Sequence, residues 1–146
     1  MEKEFFPGTW QKSRAFSPIV STTGGRMVWV AGHGAPHDAD GNSLAGNFEA
    51  QVHESFRLMA ASMALSGATL ADLVTMTVFI SDARHGDWFT ELRAGYFPDG
   101  NFPASAMLTI TGFAQPDMMV EIQGIAVVAE QGDGTCFETA LCASSA

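Results

Sequence analysis

Between residues 47 and 66 the apolar side chains Phe48, Val52, Phe56, Met59, Ala60, Met63 and Ala64 recur in steps of three and four. Only an α-helix lays such a set on one face, because its period of 3.6 residues brings i, i+3 and i+4 together. Asn47 before the stripe suits the capping of free N–H groups, and Gly67 after it suits a left-handed stop. A helix is therefore predicted over 47–66. Its stripe has to be buried against something, and the flanking sequence supplies strands.

Residues 17–22 and 27–31 read as strands on either side of Gly24–Gly25, whose freedom at positive φ fits a tight hairpin turn. Met27-Val28-Trp29-Val30-Ala31 is apolar on both faces, the pattern of a central strand. A loop rich in Gly, Pro, Asp and Asn fills 32–46. Residues 74–81 are β-branched and partly alternating, so they form another strand. A second helix is expected over 86–96, carrying Trp88, Phe89, Leu92 and Tyr96, and Phe97-Pro98-Asp99-Gly100 ends it. Strands at 106–111 and 118–128 complete the order ββαβαββ. That order predicts an α+β subunit, a mixed sheet with both helices on one face. The other face keeps Val, Met and Trp side chains that no helix covers, and packing against copies of the chain would cover them. Residues 1–130 read as a single domain, and 131–146 as a loose C-terminal tail of turn-forming composition.

Charge narrows the function classes. The formal net charge is −9, and the cations Lys3, Lys12, Arg14, Arg26, Arg57, Arg84 and Arg93 are scattered. No stripe of them could neutralise a run of phosphates, so neither nucleic acid nor an anionic membrane is an expected partner. The charged segment Met1-Glu2-Lys3-Glu4 is unlike a signal peptide, and no apolar run reaches the length of a membrane span, so a cytoplasmic protein is expected. Cys136 and Cys142 both lie in the tail and offer no core disulfide framework. His33, His37, Asp38 and Asp40 sit in a Gly/Pro loop where no helix aligns the imidazoles, so no metal is expected. No Gly-rich phosphate loop precedes a helix, and no cofactor is implied.

Several segments, in this order and at these gaps, carry a resemblance. They are Phe16-Ser17-Pro18, Val28-Trp29-Val30-Ala31-Gly32-His33, Leu70-Ala71-Asp72-Leu73-Val74, Thr77-Val78-Phe79-Ile80-Ser81-Asp82, Tyr96-Phe97, Phe102-Pro103-Ala104 and Val120-Glu121-Ile122-Gln123-Gly124-Ile125-Ala126. Together they resemble the YjgF/RidA family of reactive-intermediate deaminases over most of the chain. The resemblance implies a chorismate-mutase-like subunit, a homotrimer, and clefts between neighbouring subunits. It also implies hydrolysis of imines and enamines without a cofactor. In that family a glutamate of the last strand positions water, and an arginine directly after Pro-Ala holds a carboxylate. The glutamate is present here as Glu121. The arginine is not, since Ser105 follows Pro103–Ala104. A family tyrosine corresponds to Phe16, an asparagine falls near Thr90, and a glutamine is replaced by His33.

Each of these positions has two readings. Glu121 is either a base on an otherwise apolar strand or an outward-facing strand residue, since Gln123 continues its alternation. His33 is either a proton relay to Glu121 or a loop histidine. Arg93 is either a substitute cation for the missing arginine or a helix-face residue. Phe16 and Met107 either make the cleft apolar or simply pack. The enzymatic reading takes Glu121 and His33 as catalytic, and Phe16, Gly32, Thr90, Arg93, Ser105 and Met107 as substrate-binding. A small, less polar C–N compound is the expected substrate. The competing reading is a non-catalytic trimer that binds a small molecule or a partner protein.

Overall fold

The structure is a computed structural model that describes residues 1–130. Along the chain run β1 (Glu2–Phe6), β2 (Ile19–Thr23), β3 (Arg26–His33), α1 (Phe48–Ala64), β4 (Leu73–Ile80), α2 (Gly86–Ala94), β5 (Ala104–Thr109) and β6 (Val120–Val128). The tail with Cys136 and Cys142 lies outside the described residues.

The helix signals act as read. The Asn47 side chain accepts the Ala50 N–H at 3.1 Å. At the other end Gly67 has φ +71°, the Ala68 N–H donates to Met63 O at 3.1 Å and the Gly67 N–H to Ala64 O at 3.0 Å. Those paired bonds satisfy carbonyls that the last helical turn leaves free. Phe48, Val52, Phe56, Met59 and Met63 of α1 are buried, as is Phe89 of α2.

The main sheet has four strands in the order β3-β6-β4-β5. β6 is antiparallel to both β3 and β4, while β4 and β5 are parallel and joined through α2. It is the expected mixed sheet. One face, with Met76, Val78, Ile80, Val120, Ile122 and Ala126, packs into the core with α1. The other face carries Trp29, Thr75, Thr77, Phe79, Glu121, Gln123 and Ile125, and among the described residues no helix lies over it. Part of it dips into a shallow depression of about 380 Å³.

Two strand assignments are corrected. β3 is an edge strand rather than a central one. Val28 and Val30 pack toward the core, while Met27 and Trp29 face outward and Trp29 stays 74% exposed. Apolar character on both faces reports an uncovered sheet surface here, not a position between neighbours. Second, Gly24–Gly25 make the expected positive-φ turn, at +69° and +88°, but β2 and β3 form no common ladder. β2 pairs antiparallel with β1 in a separate two-stranded sheet. β1 went unread because its charged residues hide a period of two: Lys3 and Phe5 turn partly inward while Glu2 and Glu4 face water. Lys3 reaches Asp72 at 2.9 Å and ties this small sheet to the segment entering β4.

Candidate functional site

Glu121 is the second residue of β6 and pairs with Phe79 of β4. Its neighbours Val120 and Ile122 are fully buried. The pleat therefore turns Glu121 to the open sheet face, where it is partly exposed. Among the described residues no ion pair includes it. The carboxylate, paired across the ladder with Phe79, faces the space above the open sheet, where a water or a ligand can approach it.

Near Glu121, β3 is irregular. Val30 pairs with Gly124 and His33 with Ile122, so Ala31 and Gly32 together face one residue, Gln123. This is a β-bulge, and it reverses the phase of the strand. His33 shares the face of the buried Ile122 and reaches α1. Its Nδ1 lies 2.7 Å from the Ala31 carbonyl oxygen and its Nε2 2.8 Å from Ser62 Oγ. A carbonyl only accepts, so Nδ1 carries the proton, and in the neutral ring Nε2 accepts from the Ser62 hydroxyl. Both ring nitrogens are thus engaged away from Glu121. Within one protomer the expected relay between His33 and Glu121 is not formed, because the bulge puts the two side chains on opposite faces.

A second group gathers where α2 meets the start of β5. Arg93 is only 2% exposed. Its Nη1 donates to Ser105 Oγ and its Nη2 to the Arg14 carbonyl, each at 2.8 Å, while Nε has no partner. Arg93 is no solvated helix-face residue. Burial, helped by the nearby Arg14 cation, pushes its pKa down to about 10. The ring of Phe89 lies 5.4 Å from the guanidinium carbon. Ser17 bridges to Ala104, which brings Phe16 beside the same strand. The Phe16 ring meets Trp10 edge-on at 5.6 Å.

Two other positions have packing roles. The Thr90 hydroxyl is buried and donates to Gly86 O at 3.0 Å, inside its own helix. Met107 packs against the core, with its methyl group near Gly86. Ser62 and Arg14 had no sequence signal. Each matters through a partner 29 or 79 residues away, a separation that periodicity cannot report.

The protomer thus divides the candidates. Glu121 and Gly32 lie on the open face, whereas Ser105 and Met107, paired with Met76 and Val78, share the helix-covered side. Asp38 accepts from Asp40 N, Asn42 N and Asn42 Nδ2 and holds its own loop. Among the described residues no group of three or more His, Cys, Asp or Glu could hold a metal ion, and no helix is long and apolar enough to cross a membrane.

The geometry agrees with known structures. YyfB from Yersinia pestis, a Rid-family protein of unknown function, superposes with a TM-score of 0.76 at 18% identity, covering 88% of this chain and all of that one. YyfA from the same organism gives 0.64 at 22% identity, over 87% of this chain and all of its own. At these identities the two establish the fold alone. Rv2704 from Mycobacterium tuberculosis, a member of the YjgF/YER057c/UK114 family, gives 0.61 at 26% identity, over 87% of this chain and all of that chain. The family model described as Endoribonuclease L-PSP matches residues 10–128. With that match spanning both groups of candidate residues, the chain belongs to the endoribonuclease L-PSP family, the YjgF or Rid proteins.

Proposed function

We propose that this protein hydrolyses an imine, or an enamine through its imine tautomer, in a cleft that neighbouring copies of the chain complete. The observation that carries the reading is the Glu121 carboxylate, held on the open sheet face with no ion-pair partner among the described residues. The division of the candidates supports an intersubunit cleft. One protomer keeps Glu121 and Ser105 on opposite faces, so a reaction using both needs two protomers.

The chemistry needs no cofactor. Glu121 takes a proton from water as the oxygen attacks the C=N carbon. The carboxylic acid returns that proton to nitrogen and completes the carbinolamine; Glu121 then takes the hydroxyl proton as the carbonyl forms and hands it to nitrogen as the C–N bond breaks, so ammonia leaves with a carbonyl product. Ser105 accepts from Arg93 and keeps its O–H to donate toward the substrate. A hydroxyl polarised by a buried cation is a better donor than one in water. It is still a weaker anchor than a guanidinium fork, which favours a substrate less anionic than a simple amino-acid imine. RNA fits poorly with a net charge of −9.

The missing strand arginine favours one competing reading, a non-catalytic small-molecule binder. Ammonia release from imines generated by an amine oxidase, which carry no carboxylate, and by an amino-acid oxidase separates the two. Turnover that falls at least a hundredfold in Glu121→Ala, with the assembly intact, supports the hydrolase. Saturable binding without turnover supports the binder.

A further inference from the structure

Gly32 is a glycine for a reason that its backbone does not supply. Its φ lies outside the left-handed region, unlike Gly24, Gly25 and Gly67, so any residue could adopt its conformation. What the position lacks is room. A Cβ built on Gly32 would lie 2.0 Å from Glu121 Oε1 and 2.9 Å from its Cδ. The carboxylate occupies the space that a side chain at 32 would fill.

The bulge makes this juxtaposition. With Val30 opposite Gly124 and His33 opposite Ile122, the extra residue in β3 moves Gly32 onto the face of Glu121. The same shift sends His33 to the other side, where Ser62 of α1 and the Ala31 carbonyl hold both ring nitrogens. The imidazole is therefore a clamp on the irregular turn of the strand.

We infer that the bulge Ala31-Gly32-His33 is the positioning device of Glu121. Gly32 gives the carboxylate its seat, and His33, fixed by Ser62, holds the bulge in register. The inference deepens the hydrolase reading, since it rests on Glu121 as the group that activates water. It assigns His33 a positioning role in place of a proton-transfer role.

The test pairs Gly32→Ala with Glu121→Asp, whose side chain is one methylene shorter and withdraws from the crowded seat. Gly32→Ala is expected to lower kcat at least tenfold with KM within twofold, because substrate contacts elsewhere persist. Gly32→Ala in the Glu121→Asp background is expected to add less than a twofold loss. Ser62→Ala, an exposed helix position, is expected to lower kcat severalfold with the fold retained, so the clamp remains testable if Gly32→Ala folds poorly. Carbon-13 NMR of the Glu121 carboxyl carbon gives a readout independent of turnover, and Gly32→Ala is expected to move this resonance. Full activity in Gly32→Ala, or losses that simply multiply in the double variant, would overturn the inference. A wild-type protein without turnover refutes the hydrolase reading alone. The resonance then decides the geometry: if Gly32→Ala leaves it in place, the seat does not exist.

Discussion

Arg93 carries a positive charge where water is excluded, and among the described residues no carboxylate answers it. Burying an unpaired charge is unfavourable, and its unpartnered Nε adds to the cost. A residue kept under those terms acts through what it touches, and Arg93 touches Ser105. In Arg93→Met the side chain keeps its bulk and loses its charge. Stability in urea is expected to change by less than about 1 kcal/mol, because the lost hydrogen bonds offset the relieved desolvation. Turnover in the ammonia assay is expected to fall about tenfold. Equal losses of stability and activity would make Arg93 a structural residue only.

The elements are held in place by polar ties that a hydrophobic pattern cannot foresee. Gln51 of α1 is fully buried and makes three bonds: its Nε2 donates to Leu44 O at 3.0 Å and to Asp117 O at 2.8 Å, and its Oε1 accepts the Met119 N–H at 2.8 Å. It thus fixes the entry to β6, just ahead of Glu121. Gln51→Leu fills the space but strands those backbone groups, and denaturant unfolding is expected to show a loss of about 2–3 kcal/mol.

The tie between β1 and the segment entering β4 is electrostatic. Partial burial pushes the Asp72 carboxyl up, but the Lys3 ammonium and the Thr69 N–H and hydroxyl outweigh it and leave it below the usual carboxylate value. A depressed carboxyl stabilises the fold above its unfolded pKa, and that stabilisation fades as pH falls through the folded value. Asp72→Asn is therefore expected to be less stable than wild type by about 1 kcal/mol at pH 7. Melting curves at pH 7 and below pH 3 check this, because the difference should close in acid.

At the scale of the whole molecule, the open sheet face is the feature left to account for. Trp29 and Met27 stand exposed on it beside the depression lined by Thr75, Thr77, Gln123 and Ile125. Water against that surface is unfavourable by roughly 25 cal/mol per Å² of apolar area. Copies of the chain covering one another's faces would remove it, as the intersubunit cleft of the proposed function requires. Sedimentation velocity is expected to show a species three times the 15.5 kDa chain. Trp29→Glu is expected to shift it to monomer, with ammonia release lost in parallel. A wild type that sediments as a monomer would leave Glu121 without its cleft.

By itself the sequence determined the family and the main helices and strands other than β1. The stripe of α1, its Asn47 and Gly67 ends, the β-branched run of β4 and the segments from Phe16 to Ala126 are local patterns, and local patterns follow from bond geometry and burial. It also made Glu121 conspicuous, a charge between Val120 and Ile122. Only the tertiary structure decided which strand lies at the edge, that β2 pairs with β1, and that one extra residue in β3 parts His33 from Glu121 while bringing Gly32 beneath it. These outcomes depend on register and on which faces are covered. Both arise from contacts between residues far apart in the chain, and neither leaves a period in the sequence to be read.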